Sequence, residues 1–246
     1  MKLRLIVSGI LFFFPISFSA HTAEINDIIR IRANSFPSEP EVDLTDIKNI
    51  PDLYFECQIA LMAENSTIPV FYNPLVREYI EIYLMGRKKQ IPELNRLSAT
   101  YFPLFESQLQ SKGLPPELKY LPVIESGLNP QALSASGAFG LWQFKAETGR
   151  SFGLIVTETS DERSDPAKST KAACDYLKYL NGIFGNWQLS LLAYHAGPTT
   201  IKNAIRKAGG KTAFNDIYIY LPPATQRYLP AYIAVMYVLN NYMNHI

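Results

Sequence analysis

Apolar residues recur at intervals of three and four along most of the chain after about residue 52, a spacing typical of helices that bury one face. In the stretch NPLVREYIEIYLMG this spacing places Leu75, Tyr79, Ile82 and Tyr83 on one predicted face, and Gly86 ends the helix. Runs of alternating apolar and polar residues, which indicate strands, are few, and no internal repeat is evident. The predicted fold class is therefore all-α.

The next two helical runs contain interior prolines. IPELNRLSATYFPLFESQLQSKG carries apolar residues at helical spacing up to Gly113, and Pro103 inside it is predicted to bend the helix. LPPELKYLPVIESG is predicted to form one helix that closes near Gly127. Because Pro122 in its interior removes a backbone hydrogen bond, a kink is expected just before Glu125.

Four further helices are predicted in the C-terminal half. SDPAKSTKAACDYLKYLNGIFG has Asp165 as its predicted N-cap and Pro166 in its first turn. NWQLSLLAYHAG is nearly all apolar, which indicates a buried helix. PTTIKNAIRKAGG forms a short helix that Gly209 and Gly210 end, and the strongly apolar ATQRYLPAYIAVMYVLNNYM is expected to pack across the rest.

The N-terminus has the features of an export signal. A basic start precedes an apolar run, Leu5–Phe18, and small residues follow it, so residues 1–20 are predicted to be a cleaved signal peptide. The alternative is a membrane anchor, but the run is shorter than the roughly 20 residues that a spanning helix needs. The first cysteine is Cys57, too late for lipid attachment. We therefore expect a periplasmic or otherwise exported protein without a stable membrane span, with residues 21–50 as a flexible leader.

Composition restricts the function classes. The chain of 246 residues is 48% hydrophobic and 13% aromatic, enough for a substantial core. A net charge of +1 argues against a nucleic-acid partner.

Cys57 and Cys174 either form one disulfide or are two buried thiols, and the sequence leaves both alternatives open. The three histidines share no metal-ligand spacing, so neither a metal nor a cofactor is predicted.

The candidate for chemistry is a single carboxyl group. Glu125 lies in an apolar segment, with Ile124 before it and Leu128 after it. Burial of a carboxyl raises its pKa and makes it a proton donor near neutral pH. The alternative is an ordinary exposed glutamate at a helix end. A glycosidase commonly uses a second carboxylate, and the next acidic residues along the chain are Glu147, Glu158, Asp161, Glu162 and Asp165.

An ordered set of motifs carries a family resemblance. The pattern ES…NP…S..GA.GLWQ…AYHAG…RYLP resembles the lytic transglycosylase catalytic domain, glycoside hydrolase family 23. The upstream YNPLVREYIEIYL and YFPLFESQLQSKGLPPELKYLPVIES and the later DERSDP are most similar to the membrane-bound lytic murein transglycosylase D type. The resemblance extends from about residue 70 to the C-terminus.

The resemblance implies a lysozyme-like fold with additional N-terminal helices, and cleavage of the β-1,4 bond between N-acetylmuramic acid and N-acetylglucosamine in peptidoglycan. Glu125 matches the family's single acid/base. Ser134, Gln143, Tyr194 and Tyr228 match residues that contact the glycan. The family's nucleophile is the substrate's own 6-hydroxyl, which closes a 1,6-anhydro ring, so one carboxyl serves both steps. Peptidoglycan strands are the expected partner, and wall-assembly protein partners are unknown.

Two alternative functions stay open, and three departures from the family pattern support the second of them. Pro122 stands where a small residue is usual, Lys145 where an apolar residue is usual, and His195 where asparagine is usual. The alternatives are a hydrolytic muramidase on the same fold and a wall-binding protein that has lost catalysis.

The predicted domain organisation follows from the same resemblance. Residues 51–112 are expected to form a helical segment that packs on the catalytic domain, and residues 113–246 the lysozyme-like transglycosylase domain.

Overall fold

Helices dominate the part of the chain that this computed structural model describes, residues 44–86 and 90–242. Among these residues there is no strand, only isolated bridges in loops, so the all-α prediction is confirmed. The α-helices are α1 Asp52–Glu64, α2 Pro74–Glu81, α3 Ile91–Ser111, α4 Leu121–Ser126, α5 Ala146–Ser151, α6 Pro166–Phe184, α7 Trp187–Ala196, α8 Pro198–Lys207, α9 Phe214–Ile217 and α10 Pro223–Tyr242. Short 3-10 helices occupy Leu44–Asn49, Pro116–Tyr120, Glu162–Ser164 and Tyr218–Tyr220, and a π-helix occupies Ile82–Gly86.

The long helix α10 forms the centre of the core. Its residues from Tyr228 to Leu239 are buried without interruption. Helices α2, α4 and α7 pack against it. The expectation that this segment packs across the rest of the protein is therefore confirmed, because a helix that is apolar on all sides must be covered on all sides.

The described residues belong to one compact unit. The predicted signal peptide, residues 1–20, lies outside them, and the boundary between residues 51–112 and 113–246 stays a prediction. The end of the predicted leader is a 3-10 helix, Leu44–Asn49, rather than a flexible segment. Its Ile47 is buried, and Arg77 donates to the Ile47 carbonyl oxygen at 2.7 Å, so tertiary contacts hold this segment.

The predicted buried face of this helical stretch is confirmed for Tyr83 and in part for Tyr79, which packs partly buried against the core. The residues that enter the core are Val76, Ile80, Tyr83 and Leu84. Ile82 is exposed, because the helix widens into the π-helix at this residue and the side chains that follow are rotated relative to a regular α-helix.

The prediction of one kinked helix around Pro122 is wrong. The segment divides into the 3-10 helix Pro116–Tyr120 and α4, and Pro122 lies in the first turn of α4. A proline there costs no intrahelical hydrogen bond, because the first amide groups of a helix have no acceptor within it. Pro122 therefore starts the short helix that carries Glu125.

The predicted helix ends in the C-terminal half are confirmed. The side chain of Asp165 accepts the Lys168 amide hydrogen at 2.8 Å and caps α6. Helix α7 is buried over Leu189 to Ala193, as its apolar sequence predicted. Cys57 and Cys174 are buried thiols in the core and are not joined in a disulfide.

No helix among the described residues is both long enough and apolar enough to cross a membrane.

Candidate functional site

Glu125 lies in the last turn of α4, where the chain reverses direction. Gly127 ends the helix in the left-handed conformation, with φ 60° and ψ 30°, and donates its amide hydrogen to Val123. This C-cap suits glycine, which adopts positive φ at little cost. Glu125 is partly accessible to solvent, and its carboxylate accepts a short hydrogen bond from the Tyr228 hydroxyl of α10.

The environment of Glu125 keeps its proton on near neutral pH. Burial raises the pKa of the carboxyl to about 7, because the charged form loses solvation, and the hydrogen bond from Tyr228 lowers the pKa in part. The carboxyl therefore titrates near neutral pH rather than near the ordinary 4.5. This carboxyl can donate a proton and, once ionised, can take one back.

Tyr228 is a buried partner of the acid rather than an exposed side chain. It is 5% exposed, and burial, followed by the nearby charge of Glu125, raises the pKa of its hydroxyl well above the usual 10. The phenol therefore keeps its hydrogen to donate. Its ring stacks on the His195 ring with centroids 4.2 Å apart and planes at 21°.

Tyr194 approaches the site from α7, but its hydroxyl has a protein partner. It donates to the Trp142 carbonyl oxygen at 2.7 Å. Burial raises its pKa well above 10, and the charge of Glu125 adds to this effect. The side chain thus joins α7 to the loop that follows α4.

The loop between α4 and α5 is fixed to the acid's helix by Ser126. Its hydroxyl contacts the Leu141 carbonyl oxygen at 2.9 Å and the Pro122 carbonyl oxygen at 3.0 Å. Within this loop Trp142 is fully buried and donates its indole hydrogen to Thr170 Oγ1 at 2.9 Å. Trp142 therefore belongs to the core.

Ser134 and Gln143 have internal partners in the same loop. The Ser134 hydroxyl accepts the Ala138 amide hydrogen at 2.9 Å. The Gln143 amide nitrogen donates to the Ala132 and Gly140 carbonyl oxygens at 2.8 and 2.9 Å, so its two hydrogens are used. Only the amide oxygen of Gln143 is left for a ligand. The predicted glycan contacts of Ser134, Gln143, Tyr194 and Tyr228 stay predictions.

Sequence analysis missed Arg163, which organises this loop. Its Nη1 donates to the Gly137 and Phe144 carbonyl oxygens, both at 2.9 Å, and Asp161 pairs with its Nη2 at 2.6 Å. The hydrogen bond from Arg163 holds the pKa of Asp161 below its usual value. The available signal was the arginine within DERSDP, where neighbouring carboxylates can pair with it. Its burial, which makes fixed partners necessary, is visible only in the tertiary structure.

The backbone of Arg163 explains one glycine of the motif. A Cβ on Gly140 would lie 1.9 Å from the Arg163 carbonyl oxygen, and Gly140 has φ +84°. Only glycine allows the loop to approach the Arg163 backbone this closely.

Lys145 makes a separate contact within the loop. Its exposed side chain donates to the Ser136 carbonyl oxygen at 2.5 Å.

Groups of three or more His, Cys, Asp or Glu side chains that could hold a metal ion are absent from residues 44–86 and 90–242.

Comparison with known proteins gives consistent matches. The model of the family described as "Transglycosylase SLT domain" matches residues 102–217. Membrane-bound lytic murein transglycosylase D of Escherichia coli K12 is 34% identical over 173 residues, which are 69% of this chain and 38% of the relative. Peptidoglycan transglycosylase gp16 of Escherichia phage T7 is 32% identical over 120 residues, 48% of this chain and 9% of the relative. The chain thus spans well under half the length of either relative.

A solved structure shows the same fold. The 70 kDa soluble lytic transglycosylase SLT70 of Escherichia coli matches with a TM-score of 0.53 at 16% identity, over 90% of this chain and 44% of that one. Its complex with bulgecin A matches with a TM-score of 0.53 at 17% identity, over 91% of this chain and 44% of that one. The lysozyme-like fold prediction is confirmed by these matches.

Proposed function

This chain belongs to the lytic transglycosylase family through its SLT domain at residues 102–217, and on that premise we propose that it cleaves the β-1,4 bond between N-acetylmuramic acid and N-acetylglucosamine in peptidoglycan. The product is a glycan that ends in 1,6-anhydromuramic acid, and no water is consumed. The observation that carries the proposal is the half-buried carboxyl of Glu125 at the family's acid position, hydrogen-bonded to the Tyr228 hydroxyl. Burial raises its pKa to about 7.

In the first step Glu125 acts as the general acid. Its carboxyl proton passes to the bridging oxygen, the bond from the muramyl anomeric carbon to that oxygen breaks, and N-acetylglucosamine leaves with a hydroxyl. In the second step the Glu125 carboxylate takes the proton of the muramyl 6-hydroxyl. That oxygen then bonds to the anomeric carbon, and Glu125 is protonated again for the next cycle.

Tyr228 supports both steps. Its hydrogen bond favours the ionised form of Glu125, while burial favours the protonated form. The two effects oppose each other and hold the pKa close to neutrality, where an acid that later serves as a base works well. Tyr228 also limits the orientations of the carboxyl, which aids proton transfer.

The electrostatics support a single carboxylate rather than a pair. A retaining glycosidase places its two carboxyl groups about 5–5.5 Å apart. At that distance a second carboxylate would raise the pKa of Glu125, yet among the described residues the causes of its shift are burial and Tyr228 alone. The substrate's own hydroxyl fills the role that a second carboxylate has in other enzymes.

The cellular setting belongs to the same proposal. The predicted signal peptide at residues 1–20 and the proposed peptidoglycan substrate both support a location outside the cytoplasm, where the protein acts on glycan strands. Ser134, Gln143, Tyr194 and Tyr228 are proposed to line the path of those strands.

Product analysis tests the function. Purified sacculi are digested with the full chain, and the soluble muropeptides are identified by mass spectrometry. We expect anhydromuropeptides, each lighter by one water than the corresponding reducing muropeptide. Reducing muropeptides as the direct product would establish a hydrolytic muramidase, and binding to sacculi with no released glycan would establish a wall-binding protein.

A further inference from the structure

The stack of His195 on Tyr228 connects to the acid a residue that departs from the family motif. The two ring centroids are 4.2 Å apart with an interplanar angle of 21°, and the hydroxyl of the same Tyr228 donates to Glu125. His195 is in the last turn of α7, Tyr228 in α10 and Glu125 in α4. Three helices therefore meet in one row of side chains.

His195 is anchored on both sides along the chain. The preceding Tyr194 is tied to Trp142 by its hydroxyl. The following helix end is closed by the Gly197 amide, which donates to the Ala193 carbonyl oxygen at 2.8 Å. Because the backbone of His195 is held in this way, its imidazole ring can restrain the Tyr228 ring that it covers.

We propose that His195 is a positioning residue that acts through Tyr228: its ring holds the phenol in the plane from which the hydroxyl reaches Glu125. The catalytic consequence of this inference rests on the proposed function. The effect on the protonation of Glu125 does not, because it needs no substrate.

The ring, rather than a charge, is the feature of His195 that matters. Burial lowers the pKa of His195 from its usual 6.5, so the imidazole is mainly neutral where Glu125 titrates. The ionisable groups that act on this row include Glu125 from α4, Tyr194 from α7, and Tyr228 and Tyr232 from α10. Tyr176 and Cys174 of α6 act on Tyr194. The neighbouring Arg227 is directed instead to Glu78 and Tyr79 of α2.

Loss of the ring has a defined consequence. A freer Tyr228 donates a weaker hydrogen bond, and because that bond lowers the pKa of Glu125, the pKa rises when the bond weakens. An aromatic pair of this kind supports a pKa shift of up to about one unit and a fall in kcat of about two- to tenfold. KM is expected to change little, because His195 acts through Tyr228 and not on bound glycan.

The test measures the pKa of Glu125 directly in the full chain. Glutamate labelled with carbon-13 at the carboxyl is incorporated, and the Glu125 signal is assigned by its loss in Glu125→Gln. We compare His195→Asn, which removes the ring, with His195→Phe, which keeps a ring. His195→Asn is expected to raise the pKa, and His195→Phe to leave it near the wild-type value.

A double-mutant cycle separates positioning from other effects. In a Tyr228→Phe background, where the hydrogen bond is absent, His195→Asn is expected to cause no further shift. An unchanged pKa in His195→Asn, an equal shift in His195→Phe, or an additive cycle would each overturn the inference. One face of the His195 ring is covered by Tyr228, while the residue as a whole stays accessible to solvent. These variants should therefore fold, and circular dichroism verifies this.

Failure of the two proposals is distinguishable. If wild-type protein releases no anhydromuropeptide, the proposed function fails, and the carboxyl titration still decides the positioning role. If wild-type protein is active and the cycle is additive, only the positioning role fails.

Discussion

Tyr228 donates its hydroxyl hydrogen to the carboxylate of Glu125, although 103 residues separate the two in sequence. One comes from the buried core helix α10 and the other from the final turn of the short helix α4. The contact places a buried phenol against a carboxyl whose pKa is about 7. Substitutions at the acid, at its phenol partner and in the supporting loop should therefore have distinct effects.

Glu125→Gln is expected to reduce release of anhydromuropeptides by about 10²- to 10⁴-fold, the usual contribution of a general acid. The amide has the shape of the carboxyl but cannot transfer the proton. Turbidity loss of sacculi and mass spectrometry measure the change, and circular dichroism verifies the fold. Normal lysis by a well-folded variant would exclude Glu125 as the acid.

The stability of Glu125→Gln relative to wild type is expected to depend on pH. The folded-state pKa of about 7 lies above the ordinary 4.5, so the folded protein binds more protons between these values, and the wild type loses stability as pH rises through this window. The variant lacks this loss. Between pH 4.5 and pH 8 the free energy of unfolding of the variant should therefore rise by up to about 3 kcal/mol relative to that of the wild type.

Urea unfolding at several pH values measures this difference. The comparison with wild type cancels the other titrating groups. A constant difference across the range would mean that Glu125 has an ordinary pKa.

Tyr228→Phe is expected to shift the pH dependence of the reaction. Removing the hydroxyl removes the hydrogen bond that lowers the pKa of Glu125, so the loss of activity on the alkaline side moves to higher pH. The initial rate at saturating glycan, measured from pH 5 to pH 9, gives the position of that limb. Tyr194→Phe is the control. It loses the hydrogen bond to the Trp142 carbonyl oxygen instead and should leave the alkaline limb of the pH–rate profile nearer its wild-type position. An unshifted limb in Tyr228→Phe would contradict the assigned role.

Arg163→Met is expected to destabilise the fold by about 2–4 kcal/mol, because it leaves the Gly137 and Phe144 carbonyl groups and Asp161 without their donor. Urea unfolding measures the loss. Arg96→Met is the matched control, because the Arg96–Glu93 ion pair is on the surface, where solvent screens it, and should contribute little to stability. Equal effects of the two substitutions would show that Arg163 does not organise the loop.

Gly140→Ala is expected to disrupt the loop, since a Cβ there would lie 1.9 Å from the Arg163 carbonyl oxygen. Gly137→Ala is the control. It has a similar φ of +80° but no atom within 4 Å of the added carbon, so only backbone strain of about 1 kcal/mol applies. Thermal unfolding and lytic activity are compared. A Gly140→Ala protein as stable as Gly137→Ala would contradict the expected clash with Arg163.

The local features of the fold were predictable because their causes are local. Asp165 caps α6 with its own side chain, and Gly127 ends α4 through its own backbone conformation. The errors at Ile82 and Pro122 arose where helix type changes over a few residues, from α to π and from 3-10 to α. Periodicity assumes one regular helix, so it places side chains wrongly at such a change.

The sequence by itself determined the all-α class, most helix ends and the identity of Glu125 as the candidate acid, because spacing, capping and motif order are properties of neighbouring residues. Only the tertiary structure decided that Tyr228 bonds to Glu125, that His195 covers Tyr228 and that Arg163 holds the loop. These contacts join separate helices and loops, and the pKa of Glu125 depends on the burial that they create. Such burial arises only when the whole chain has packed.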